Sequence, residues 1–317
     1  MWRVLFTRLA AAVPVALAVS FLSFMLVHIA PGDPVSAIAP GDASVEVLAQ
    51  LRAKYHLDQP VVVQYGHWLA RAAVGDLGAS LANGRPVVDE IGTAFFNTAA
   101  LAAFAAIVAL VSGSLGGMAA GLTLGSKLDR CVTTVFTAAF AVPSYWLGIV
   151  LVLVFSVWLG VLPGVGLSPD AFAGGPFTAD ALSALVLPGV TLSLIPAGVI
   201  ARAWRASIAE IRHQEFVTAL RLRGLAEHRV ALHTVLNALP GVLPVIGVQV
   251  GYLLGGSILV EVVFNWPGTG LLLNSAIFQR DIAVLQGVVL VLGMVFVLIN
   301  LLVDLLQVLV DPRIRRT

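Results

Sequence analysis

The sequence predicts an all-α polytopic membrane protein with six transmembrane helices. Hydrophobic residues make up 59% of the 317 and charged residues only 11%, where a soluble domain carries about 25% charge. Mean hydropathy is +0.98. The apolar residues also gather in runs that approach or exceed the roughly 20 residues needed to cross a bilayer.

The first run covers Leu9 to Ile29, behind Arg3 and Arg8. A cleaved signal peptide is the rival reading. The run is longer than the usual signal core of roughly 7–15 residues, and no clean small-x-small site precedes Pro31, so a retained helix is expected. Further spans are expected over Phe96 to Leu124, Val132 to Leu159, Leu185 to Ile200, Leu236 to Val263 and Val284 to Val310. The fourth is short and broken by Pro188 and Pro196. Cys131 excludes an internal disulfide or a cysteine metal cluster and reads as a small apolar filler.

Lys and Arg are held back on the cytoplasmic side of a membrane protein. Thirteen of the eighteen fall on one side of these spans, from Arg3 and Arg8 through Lys127, Arg130 and the 201–235 segment to Arg316. The other side has Arg52, Lys54, Arg71, Arg85 and Arg280. Both termini are therefore expected to be cytoplasmic. The chain divides into an N-terminus with the first helix (1–30), an extracytoplasmic segment (31–95), a transmembrane body (96–310) and a tail (311–317).

In the extracytoplasmic segment, Val45, Leu48, Leu51 and Tyr55 recur at helical spacing, as do Val62, Tyr65, Trp68, Leu69 and Ala72. These read as two short amphipathic helices packed on the outer mouth, with membrane anchoring as the alternative. Leu162 to Leu182 reads as a Gly- and Pro-rich loop. In Asn265 to Asp281, Trp266-Pro267-Gly268 reads as a turn with the Trp at interface depth.

Ala201 to Val235 holds six arginines, three glutamates and three histidines among apolar residues that include Ile208, Ile211, Phe216, Ala219, Leu220, Leu225 and Val230. Two short helices separated by Gly224 are expected there, since glycine permits a left-handed backbone. A helix with a polar rim and a small apolar ridge is suited to docking in a groove; a solvated positive loop is the alternative.

The run Glu215-x-x-x-Ala219-x-x-x-Arg223-Gly224-Leu225, with Asn237-Ala238-Leu239-Pro240 after a gap, resembles the cytoplasmic coupling loop of binding-protein-dependent ABC importer permeases. Val217 and Thr218 stand where small alanines are usual. Further motifs resemble the dipeptide, oligopeptide and nickel branch: Pro31-Gly32-Asp33-Pro34, Gly75-Asp76-Leu77-Gly78-x-Ser80, Pro143-Ser144-Tyr145-Trp146-Leu147-Gly148, Glu261-x-x-Phe264-x-Trp266-Pro267-Gly268 and Asp311-Pro312-Arg313. The ordered set covers nearly the whole length.

The resemblance implies a type I ABC importer permease fold in a bacterial cytoplasmic membrane. It implies a second homologous permease, two ATPase subunits and an extracytoplasmic binding protein that delivers a peptide or related small solute. Glu215, Ala219, Arg221, Arg223, Gly224 and Leu225 would enter the ATPase cleft and pass its closure to the spans. The chain has no G-x-x-x-x-G-K-[ST] phosphate loop, so ATP and Mg would be held by the partner ATPases and this chain would bind no cofactor.

Charges inside spans are functional suspects. Glu261 is a candidate for the translocation path or for contact with a binding protein, or else a solvated group at headgroup depth or a partner of Arg280. Asp304 reads as structural, pairing with an inner arginine such as Arg202. Ser144, Tyr145 and Trp146 follow Pro143, where the helix should kink, and broken helices often line substrate paths; tight packing with the Trp in lipid is the alternative. Asn97 and Thr98 read as interface residues. The stripes Gly113-x-x-Gly116-Gly117-x-x-x-Gly121 and Gly251-x-x-x-Gly255 read as close helix packing. The scattered histidines offer no metal spacing, no catalytic constellation is present, and the arginines fit the positive-inside rule without nucleic acid. An ion-gradient-driven secondary transporter is the rival class; it would require an inverted repeat and acidic residues at mid-depth.

Overall fold

The computed structural model describes residues 2–29, 44, 46, 50, 58–166 and 178–310. The helices are α1 (Trp2–Ile29), α2 (Val61–Ala73), α3 (Val87–Leu122), α4 (Lys127–Ala141), α5 (Ser144–Leu151) with a π-helical continuation (Val152–Trp158), α6 (Ala179–Arg212), α7 (Glu215–Leu222), α8 (Glu227–Val263), α9 (Thr269–Gln279) and α10 (Ile282–Val310). Among the described residues, β-pairing is limited to an isolated bridge, Ala79 to Pro86. Among the described residues, five helices are long and apolar enough to cross a membrane, and the bent pair α4–α5 makes a sixth candidate.

One unit is built mainly from Asn97–Pro267. Its centre is α6, which has 72% of its most apolar window buried and packs against α8, α4 and α5. The fourth span is therefore not short and broken. It runs unbroken through Pro188 and Pro196 for 34 residues. Proline removes a backbone donor, but each missing N–H costs only the bond to one carbonyl four residues earlier, that of Ala184 or Leu192. Burial on most of its surface then outweighs the proline penalty.

The α3–α6 seam is made by small residues. A Cβ on Gly113 would lie 2.6 Å from Ala197 O, and one on Gly121 would lie 2.8 Å from Ile208 Cβ. Gly117 meets Ala201 in the same way, so glycines four apart on α3 admit the backbone of α6 one turn at a time. Trp204 fills the flank and donates its indole N–H to Ser114 Oγ at 3.0 Å. The second stripe differs: a Cβ on Gly255 would meet nothing within 4 Å. Cys131 is exposed on α4 rather than packed.

The third span bends by 100° between α4 and α5. Pro143 stands at this break, as N-cap of α5. After Trp158 the chain folds back, with Val161 N and Leu162 N both donating to Phe155 O. Residues 162–166 are irregular, as expected, and 167–177 lie outside the described residues; the predicted loop ends early, because Thr178 caps α6 and residues 179–182 are already helical.

The other unit comprises Phe6–Phe96 and Gly268–Leu298. Val87 and Ile91 of α3, Ala276 of α9 and Val284 and Val288 of α10 form its core. The second helix thus starts nine residues earlier than expected, with Asp89 and Glu90 in its first turn, where the helix dipole favours acidic side chains. Ser23 of α1 donates to Gln286 O of α10 at 2.6 Å. The amphipathic helix expected around Val62–Ala72 forms as α2. It packs on α1 through Tyr65, which lies 5.4 Å from Phe21 by ring centroids and bonds Ser20 Oγ at 2.7 Å. The helix expected around Val45–Tyr55 falls largely outside the described residues, as do the Asp304 side chain and the tail 311–317.

Candidate functional site

The predicted loop at 201–235 resolves into three pieces. Residues up to Arg212 belong to α6, and those from Glu227 belong to α8. What remains between the long helices is α7 and its flanking turns. The break at Gly224 is where the sequence placed it; the helix after it is the start of a 37-residue span rather than a short one.

Val217 seats α7. It is completely buried, whereas Phe216 and Leu220 are half-buried. Sequence reasoning named the latter two and missed Val217, which had read only as a departure from the family pattern. The opposite face is open: Glu215, Thr218, Ala219, Arg221 and Arg223 are exposed, and Leu222 is 83% exposed. Glu215 stands in the first turn and Arg221 in the last, each sign matched to the helix dipole.

The turn that ends α7 follows from its hydrogen bonds. Leu225 N donates to Leu220 O at 3.3 Å and Gly224 N to Arg221 O at 2.9 Å. This 6→1, 5→2 pair is a Schellman cap, which needs a left-handed residue at Gly224; its φ is +76°. Arg221 Nε also reaches Glu227 Oε1 across the turn at 3.1 Å, an exposed pair worth little by itself.

The end of α6 that carries α7 is fastened on two sides. Arg205 makes a two-pronged contact with Asp129 at the start of α4, Nε to Oδ1 at 2.6 Å and Nη2 to Oδ2 at 2.9 Å. Arg212 Nη1 donates to Leu122 O at 2.5 Å, capping the last turn of α3. Asp129 also accepts from Gly125 N and Thr133 Oγ1. Removing Arg205 leaves a carboxylate that is only 4% exposed without its cation. Breaking a buried pair costs about 3–5 kcal/mol, and the 37% exposure of Arg205 reduces this toward about 2 kcal/mol. Arg205→Ala should lower the thermal midpoint of the detergent-solubilised protein clearly, with Arg205→Lys between the two because a lysine cannot supply the planar fork. Equal midpoints for all three would remove the fastening role.

The candidate path residues separate into two groups. Tyr145 and Trp146 open α5 with 47% and 52% exposure, and Ser144 is half-buried beside them. Glu261 does not share that open face. It is fully buried on α8, where its Oε1 accepts from Thr98 Oγ1 at 2.8 Å. Asn97 and Thr98 are buried in the protein as well: Asn97 Nδ2 donates to Pro267 O at 2.8 Å. Trp266, expected at interface depth, is 1% exposed and donates its indole N–H to Asn97 O at 3.0 Å. Together these bonds latch α3, about three turns from its start, to the end of α8 and the turn after it. Among the described residues no cluster of His, Cys, Asp or Glu is arranged to hold a metal.

Residues 112–316 match the family model described as the inner membrane component of binding-protein-dependent transport systems, and residues 1–102 match its N-terminal counterpart. The glutathione transport system permease proteins GsiC of Escherichia coli strain K12 and Shigella dysenteriae serotype 1 are each 38% identical over 309 residues, covering 97% of this chain and 97% of theirs.

Proposed function

The chain belongs to the inner membrane components of binding-protein-dependent transport systems, and from this premise we propose that α7 and its Gly224 turn are the segment through which a separate ATPase drives it. The protein is a multi-pass permease, a transport subunit rather than an enzyme. The observation that supports the coupling assignment is the two-sided character of α7: Val217 is locked inward while Glu215, Ala219, Arg221, Leu222 and Arg223 are presented outward.

In this reading the termini and α7 face the cytoplasm. Two ATPase subunits hold ATP and Mg, one docking on α7 and the other on the matching segment of a second permease. Movement of α7 passes into α6, whose end is riveted by Arg205 and Arg212, and hence into the spans. Ser144, Tyr145 and Trp146 line the path. Glu261 acts on the path through the latch with Thr98 rather than by touching cargo. The cargo is glutathione, which the relatives' names carry, or a short peptide of similar chemistry.

The test is recovery of the chain from its native membrane in mild detergent, followed by uptake in vesicles. A P-loop ATPase and a second permease should stay bound, and labelled glutathione or dipeptide should enter only with ATP and a binding protein. A chain recovered intact and alone, with ATP-independent uptake, would overturn the assignment.

A further inference from the structure

Residues 81–86 form an exposed turn between two buried anchors, Ser80 and Val87. The Ala79–Pro86 bridge closes it. Ser80 N donates to Arg85 O at 2.9 Å, Gly84 N to Ser80 O at 3.0 Å and Val87 N to Gly78 O at 3.0 Å. Gly75 and Gly78, both at φ +85°, steer the chain into it. This accounts for the Gly75-x-x-Gly78-x-Ser80 spacing, which the coupling role leaves unused.

The turn is tied down by one buried carboxylate. Asp281, 2% exposed, accepts from Ser80 Oγ at 2.5 Å and Ala82 N at 3.2 Å, while its other oxygen caps α10 through Val284 N at 3.2 Å. Asp281 also holds the end of α9 in place, its N–H donating to Ala276 O at 2.9 Å. That end carries Ile277 and Phe278, 55% and 81% exposed, and then Arg280 in a left-handed conformation, φ +56°. A left-handed backbone costs a non-glycine residue about 1 kcal/mol or more.

One buried carboxylate therefore anchors both the turn that exposes Leu81 and Arg85 and the helix end that exposes Phe278 and Arg280. Singly exposed apolar residues are ordinary, but this patch has two further properties. The apolar span of α10 begins only at Ile282, and Asn83, Arg85 and Arg280 are exposed, polar groups that favour the membrane surface over its core. Its composition, an aromatic flanked by arginines on a rigid support, is that of an interface hot spot; a preorganised surface loses little entropy on docking.

We propose that this patch docks the extracytoplasmic substrate-binding protein, with Phe278 entering an apolar pocket and Arg85 and Arg280 meeting carboxylates on the pocket's rim. The inference rests on the importer reading. Its occupant follows from topology: one span, α8, separates residues 265–281 from α7, so the two open on opposite sides of the membrane. The side away from the ATPases is where a water-borne partner arrives.

The test uses the permease purified with its partner subunits in lipid nanodiscs and titrated with its purified, liganded binding protein, ATP hydrolysis being the readout. Phe278→Ala combined with Arg85→Glu should raise the half-stimulating concentration of binding protein by about tenfold or more. Val62→Ala, at a 77% exposed site on α2 outside the patch, should leave that concentration as in wild type. If the double variant does not assemble, Arg85→Glu alone should give a rise of about threefold. An unchanged half-stimulating concentration in an assembled patch variant overturns the proposal. A wild-type complex that no binding protein stimulates overturns the importer reading instead. Benzoylphenylalanine in place of Phe278 should cross-link to the binding protein under light; cross-linking only to lipid or to the second permease would also overturn the docking site.

Discussion

Gly117→Val should abolish accumulation of the permease in the membrane. A Cβ at position 117 would fall 2.7 Å from both Ala201 Cα and Trp204 Cβ. Neither belongs to the flexible end of a side chain, so the conflict is relieved only by parting α3 from α6. Parting them opens the cluster of Ala109, Ala197, Ile200, Trp204 and Ile208 and breaks the Trp204–Ser114 bond. Ordinary overpacking costs about 1–3 kcal/mol; displacing a central helix along a whole seam exceeds this and is comparable to the entire stability of many proteins. Gly255→Val is the matched control. It is the same substitution on another long helix, but at a position where a Cβ meets nothing within 4 Å. Membrane abundance and elution as a single species in detergent should be lost for Gly117→Val and kept for Gly255→Val. Equal behaviour would remove the α3–α6 seam from the account of stability.

Much of this architecture was legible because its signals are local. Apolar runs located the spans, the Gly113–Gly121 spacing announced a close helix contact, and a lone glycine in a polar stretch marked the end of α7. The α6 helix was misread for a physical reason. Pro188 and Pro196 are breakers by local chemistry, and it is burial among the other helices, which a local pattern does not report, that lets the helix continue. The turn at Trp266-Pro267-Gly268 was legible, but Trp-Pro-Gly says nothing of what the indole meets or of the helix α9 that follows. The pairs Asp129–Arg205 and Thr98–Glu261 lie 76 and 163 residues apart in the chain. No periodicity within a single helix reports such a partner, so Glu261 could be flagged as unusual but not recognised as latched. The α7 segment lay between these cases: its motif identified the outward face, while its seat, Val217, became visible only once the helix was placed.

Gly224→Arg should leave the permease in the membrane at normal abundance and reduce uptake by at least about tenfold. The first half follows from open space: a Cβ at position 224 would meet no atom of this chain within 4 Å, so no core contact is disturbed. The strain is confined to the left-handed backbone at φ +76°, about 1–2 kcal/mol for a residue bearing a Cβ, and Val217 keeps α7 seated. The second half follows from what the Schellman turn does for the outward face. Its two hydrogen bonds fix the direction in which the chain leaves α7, and so the aim of Ala219, Leu222 and Arg223. A loss of only about 1.4 kcal/mol in docking is tenfold, and reorienting the tip while adding a long cation to it costs more than that. Two further substitutions separate conformation from bulk. Gly224→Asn, in which the side chain tolerates the left-handed region, should keep most uptake; Gly224→Ala should fall between Asn and Arg. If Asn is as damaging as Arg, the glycine is needed because a partner surface approaches it closely, not because of its φ. If Arg transports normally at normal abundance, α7 is not the coupling segment.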